Sequence, residues 1–272
     1  MSADKETNHD AAVDDHEQPF LDHLIELRSR ILRSLVLVLI LFVPFYTYSG
    51  VIFDWVAAPI ISVLPDGSKM IATQIASPFL VPFKLSLYCA LFLGIPFLLH
   101  QLWGFIAPGL YRHEKKFAYP LLFSSVVLFY CGIAFCYYLV FPLVFEFFYK
   151  VAPDLAQMTP DISNYLDFIM KMFLAFGLAF EIPVATFLLA WTGLSTADKM
   201  ASKRPYVIIG CFVVGMLMTP PDVVSQLLLA VPTWFLFEFG VLMARFVEKK
   251  NDRNTREAKP VESKSADAKS TF

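Results

Sequence analysis

Charge is what this chain has least of. Asp, Glu, Lys and Arg make up 17% of its 272 residues, against about 25% in a soluble domain. Hydrophobic residues make up 57%, against roughly 45–50%. Together these exclude an ordinary soluble domain and imply a polytopic membrane protein. The net charge of −2 says little, because the distribution of charge matters more than its sum. Cysteine is also scarce. Cys89, Cys131, Cys136 and Cys211 all lie in apolar runs. None makes a CxxC or zinc spacing, which excludes a disulfide framework or metal site and leaves them as buried small hydrophobes. Enzyme signatures are missing: there is no GxSxG, no Gly-rich phosphate loop and no paired intramembrane Asp, and HEKKF at 113–117 lacks the second His of a zinc protease. No cofactor is implied. The basic residues form no single patch, so nucleic-acid binding has no support. Residues 1–19 carry six acidic side chains against Lys5 alone, the reverse of a cleavable signal's basic start. The first apolar run is therefore expected to be an uncleaved anchor.

Six apolar stretches remain, at about 31–48, 79–103, 117–145, 166–192, 206–218 and 223–243. The first four approach or exceed the ~20 residues that a helical crossing needs. The fifth is short, at about 20 Å of helix, and Thr219-Pro220-Pro221-Asp222 turns the chain sharply after it. The last two runs either form a re-entrant hairpin or both cross a thinned bilayer; crossing is expected, with spans 5 and 6 both short. Basic residues cluster at 28–33, 112–116, 199–204 and from Arg245 onward. With Lys5, that puts 18 of the 22 on one side, leaving Lys69, Lys84, Lys150 and Lys171 on the other. By the positive-inside rule both termini are cytoplasmic. The expected organisation is an acidic disordered segment (1–19), a single all-α six-span membrane domain (20–246) and a disordered tail (247–272). The outer stretch 49–78 is expected as short amphipathic helices, and 146–165 as a second structured loop.

Four places carry polar groups at a cost. Glu181 is the only ionisable group in the run 172–192, and a charge at such depth costs several kcal/mol. It reads as a functional site or as a protonated, hydrogen-bonded structural Glu. Glu26 lies on an amphipathic helix running into the first span, either as a weak surface partner of Arg30 or presented to a cationic partner. The loop 103–116 sets Phe105 and Glu114 together, an apolar contact beside an acceptor, and carboxylates take guanidinium groups in bidentate geometry. In the last hairpin, Asp222 is placed to cap the final span, and Gln226 inside that span must find a partner in this chain or on another helix.

These residues fall in recognisable motifs. HLIELRSR (23–30), MIATQIASPF (70–79), FIAPGLYRHEKK (105–116), FPLVFEFF (141–148), FGLAFEIPV (176–184), KRPYVIIGCFVVGMLMTPPDVVSQ (203–226) and LFEFGV (236–241) resemble the TatC family, the large subunit of the twin-arginine protein translocase. The resemblance covers roughly residues 20 to 246. It implies six helices in a concave cup in a bacterial inner membrane, and no catalysis. It implies recognition of twin-arginine signal peptides on folded cargo, with Glu26, Arg28, Phe105 and Glu114 as the recognition site. It further implies Glu181 on the concave face, Pro59 and Asp222 as structural residues, and Gln226 at the surface for the single-span partners TatA and TatB. Other copies of the chain and membrane lipid complete the partners, and the proton-motive force drives export. The rival reading is a secondary transporter or ion channel using Glu181; the lack of an internal repeat argues against it.

Overall fold

The computed structural model describes the backbone of residues 10–64, 70–106, 115–151, 159–219 and 222–257. In hydrocarbon no water is available to a backbone N–H or C=O, so a spanning segment must satisfy its own, and helix is the local solution. The described residues are accordingly helical, with one bridge of extended backbone, Ile71 to Asp161. The helices are α1 (Asp10–Thr47), α2 (Ser49–Ile61), α3 (Ser77–Ile106), α4 (Lys115–Phe135), α5 (Phe141–Val151), α6 (Ile162–Ala179), α7 (Ile182–Trp191), α8 (Ala197–Ser202), α9 (Arg204–Met218) and α10 (Val223–Glu257). A π-helical turn at Cys136–Val140 joins α4 to α5. Among the described residues, five segments are long and apolar enough to cross a bilayer: Leu24–Thr47, Ser77–Phe105, Tyr119–Val151, Ile162–Trp191 and Val223–Lys249. The fifth sequence run forms α9, whose 15 residues span about 22 Å, short of the ~30 Å hydrocarbon core; the sixth, expected to be short as well, is not, because helix continues past Glu238 through Lys249. Large side chains such as Ile40 and Val43 of α1 point outward, 63% and 65% exposed, as a lipid-facing stripe does.

The chain packs as two compact units. The first comprises Met1–Ala58, Ile71–Val126 and Asp161–Ser163; the second comprises Pro59–Met70, Val127–Pro160 and Asn164–Phe272. In the first unit α1 lies along α3, with Phe42 edge-on to Phe83 at 5.1 Å and Gly94 letting Val38 and Leu41 approach. A single carboxylate fastens distant segments of this unit. Asp161 Oδ2 accepts from the Thr73 N–H at 2.9 Å and the Thr73 hydroxyl at 2.6 Å, and its Oδ1 accepts from the Ser163 N–H at 3.0 Å. The hydroxyls of Ser77 and Ser163 meet at 2.9 Å beneath it.

In the second unit Phe129, Phe141, Leu166, Ile169 and Phe176 are fully buried, and rings interlock, as between Phe141 and Phe173 at 5.2 Å. Two glycines set the approach of α4 to α6. A Cβ on Gly132 would sit 2.6 Å from the Phe176 carbonyl oxygen, and one on Gly177 would sit 2.6 Å from the Phe129 ring. Lipid is as apolar as leucine, so close packing of small residues replaces the hydrophobic effect as the force between helices.

Several expectations need correcting. The stretch after the first span forms one apolar helix, α2, with Val56, Ala57 and Ile60 buried, because its apolar residues occupy every face instead of one stripe. Helix runs from Asp10 at one end of the described chain and to Glu257 at the other. The fourth run, read as continuous, breaks at Phe180–Glu181. Cys131 is exposed on its span, whereas Cys136 and Cys211 are buried; an apolar run has a lipid side as well as a core side.

Gly132→Val and Gly177→Val should each lower the stability of the detergent-purified chain by roughly 1–3 kcal/mol through overpacking. A melting curve followed by size-exclusion checks this, and an unchanged midpoint would contradict the close approach of α4 and α6.

Candidate functional site

The first candidate site is built on α1. Glu26 and Arg30 are four residues apart, so they share a helix face. Arg30 Nε and Nη2 both donate to Glu26 Oε1, at 3.0 and 2.6 Å. The guanidinium does not stop there. Its Nη1 donates to the backbone carbonyl of Gln101 at 3.3 Å and to Gln101 Oε1 at 3.2 Å, reaching across to α3. Gly104, one turn further on, lies flush against the guanidinium, where a Cβ would collide with Nη1. Phe105 follows immediately, half-buried, and Arg28 is exposed. The fold thus brings Glu26 to the end of α3 that carries Phe105. Glu114 lies outside the described residues. Sequence spacing finds the Glu26–Arg30 pair. Nothing in it marks Gln101 or Gly104, whose roles exist only once α1 and α3 pack.

Glu181 lies in the second unit, half-buried. Its N–H donates to the Leu178 carbonyl at 3.1 Å, a tighter turn than α-helix, and its own carbonyl accepts from Ala185 at 2.9 Å to restart the ladder. Pro183 explains the break: it has no N–H, and its ring displaces the carbonyl four residues back. It is the signal in the sequence that marks the interruption. Opposite the break, Gly240 of α10 faces Thr186 and Pro183 so closely that a Cβ would strike the Thr186 hydroxyl. That hydroxyl is turned into its own helix, donating to the carbonyls of Ile182 and Pro183.

The third group is the hairpin of α9 and α10. Asp222 Oδ1 accepts from the Ser225 N–H at 2.6 Å, satisfying a donor that a helix start leaves open. Gln226 finds its partner within the chain, its Nε2 donating to the Phe212 carbonyl at 2.9 Å, and it packs over Gly215. The other end is closed by ions. Arg204 Nε and Nη2 donate to Glu238 Oε1 and Oε2 at 2.6 and 2.8 Å, a bidentate fork. Beyond it, Glu248 accepts from the Ala197 N–H at 2.7 Å, at the start of α8. Pro59 lies inside α2, its carbonyl accepting from the Ser62 hydroxyl at 2.9 Å.

Among the described residues no cluster of metal-binding side chains occurs. The fold and these sites define a multi-spanning helical membrane protein with carboxylates and amides gathered at helix ends and at one break. Comparison with known proteins narrows this. Residues 22–232 match the family model for TatC, the Sec-independent protein translocase protein. The chain is 53% identical over 240 residues to TatC of Haemophilus influenzae, covering 88% of this chain and 94% of that one. It is 50% identical over 240 residues to TatC of Escherichia coli K12, covering 88% and 93%. A crystal structure of the twin-arginine translocase receptor TatC superposes with a TM-score of 0.77 at 34% identity, covering 83% of this chain and 99% of that one. The chain belongs to the TatC family.

Gln226→Leu removes one side-chain hydrogen bond to the Phe212 carbonyl of a neighbouring helix and should cost only roughly 0.6 kcal/mol of stability. Detergent melts of the variant check this. A loss of several kcal/mol would make Gln226 a core structural residue instead of one available for contact with another subunit.

Proposed function

We propose that this chain is the core receptor subunit of a Sec-independent, twin-arginine protein translocase, binding the paired arginines of signal peptides on folded cargo. The observation that carries the reading is the Glu26 carboxylate. It lies near the start of the first span, side chain 39% exposed, and its geometry already accommodates a guanidinium, that of Arg30. The neighbouring Phe105 supplies apolar contact for the peptide, Glu114 a second carboxylate and Arg28 a further contact. The charge asymmetry supports cytoplasmic termini, the six apolar runs support six spans, and the bacterial relatives support a bacterial inner membrane.

The remaining assignments follow from the same reading. TatA and TatB, the single-span partners, dock at the short hairpin near Gln226 and near Glu181, and further copies of this chain complete the complex. The proton-motive force drives export, in keeping with a sequence that holds no phosphate-binding loop. Helix α9 is shorter than the hydrocarbon core, which thins the surrounding lipid and lowers the cost of moving a folded protein.

One observation favours a different reading. Broken helices beside an intramembrane carboxylate are a mark of secondary transporters, and the chain breaks at Glu181. Solute or ion flux into liposomes holding this chain alone would support a transporter; the receptor reading predicts none. The direct test is photo-crosslinking of a signal peptide to membranes carrying the chain. Crosslinking should require Arg-Arg in place of Lys-Lys, and should be lost on Glu114→Lys. Equal crosslinking in every combination would mean that the peptide is held by apolar contacts alone.

A further inference from the structure

The contact network around Glu26 holds more than an ion pair. An isolated pair at this spacing contributes only a few tenths of a kcal/mol, because two long side chains must be ordered to form it and water screens it. Here the ordering has a source outside the pair. Gln101 is buried on α3, 9% exposed, and grips Arg30 Nη1 through both its backbone carbonyl and its side-chain oxygen. The Arg30 side chain is itself only 20% exposed, and Gly104 closes over its head group with no side chain of its own. A guanidinium fixed at one end presents its other two donors in a fixed plane. Both converge on a single oxygen, Glu26 Oε1.

We propose that Arg30, anchored by Gln101 and admitted by Gly104, is a positioning residue: by holding Oε1 it sets the plane of the Glu26 carboxylate, so that an incoming arginine meets Oε2 in a fixed orientation. The inference rests on the receptor reading above. Planar recognition is what separates arginine from lysine, since a guanidinium offers a flat fork and an ammonium a point charge. A carboxylate held in one plane therefore discriminates between them, and one free to rotate does so less. A carboxylate takes about four hydrogen bonds; Arg30 takes two, both on Oε1, so an incoming guanidinium is met chiefly by Oε2. The arrangement also assigns Gly104 a reason to be glycine, which is space for the Arg30 head group.

The test uses the full chain in membranes and measures apparent affinity for two synthetic signal peptides, one with Arg-Arg and one with Lys-Lys, by titrated photo-crosslinking. Arg30→Lys keeps the charge and removes the fork; Gly104→Val keeps Arg30 and takes its space. Each should weaken Arg-Arg binding about tenfold, the size of losing one charge-assisted hydrogen bond, and leave Lys-Lys binding in place, so that discrimination falls. Glu26→Ala combined with Arg30→Lys should be no weaker than Glu26→Ala alone, as for residues acting through one another. Undiminished discrimination in both single variants overturns the proposal. So does tighter Arg-Arg binding, which would make Arg30 a competitor for Glu26. If Glu26→Ala itself leaves Arg-Arg binding unchanged, the receptor reading fails with it; if Glu26→Ala weakens binding and neither single variant does, only the positioning role fails. A size-exclusion profile of each variant shows whether it folds, and either single variant suffices for the conclusion.

Discussion

A backbone polar group in hydrocarbon has no water to turn to, and that constraint governs everything else in this chain. It forces helix across every long apolar run, and it makes each departure from helix a local event with a partner close by. The break before α7 shows how small such a departure is kept. Pro183 removes one donor and crowds one carbonyl, and the chain answers with a single tight turn at Leu178–Glu181 before the ladder resumes at Ala185. Side-chain hydroxyls follow the same rule: Thr186, Thr192 and Thr233 each bond back into their own helix, so that a polar atom is carried into an apolar layer already satisfied.

With the hydrophobic effect absent between helices, the units are fastened by two other means. One is close approach at glycine, where Gly132, Gly177 and Gly240 each face a neighbouring helix. The other is a small number of charged clips between segments. Asp161 ties the segment at Thr73 to the start of α6. Arg204 and Glu238 close one end of the α9–α10 pair, and Arg30 joins α1 to α3 through Gln101. From Asp222 to Glu238 the chain rises only about 24 Å, little more than the length of α9, so these two carboxylates bracket the stretch of α10 that pairs with it. A clip and a recognition site have the same chemistry. What separates them is exposure, and Glu26 keeps enough of it to receive a guanidinium from outside.

Much of this is legible from residue order. Apolar runs give the helices, because length and composition alone determine what can span. The same is true of the shortness of α9 and of the polar positions Glu26, Glu181, Asp222 and Gln226, since an expensive residue in an apolar run is visible wherever it falls. Contacts between elements are not legible. Gln101 is a polar residue near a helix end like any other until α1 lies against α3, and Gly104 is one glycine among 11. The same holds for Arg204 with Glu238, which are 34 residues apart. The helix break is an intermediate case: Pro183 signals it, but proline is tolerated inside α3 at Pro82 and Pro96 without interrupting the helix, so the residue alone does not decide.

The central claim is that a carboxylate near the start of the first span, held in a fixed plane, is where a signal arginine is read. The most direct measurement is a structure of the chain in lipid with a twin-arginine signal peptide bound. The account predicts one guanidinium of the pair within about 3 Å of the Glu26 carboxylate, with Arg30 still on Gln101. A peptide seated along apolar helix faces with both guanidinium groups in solvent would contradict it.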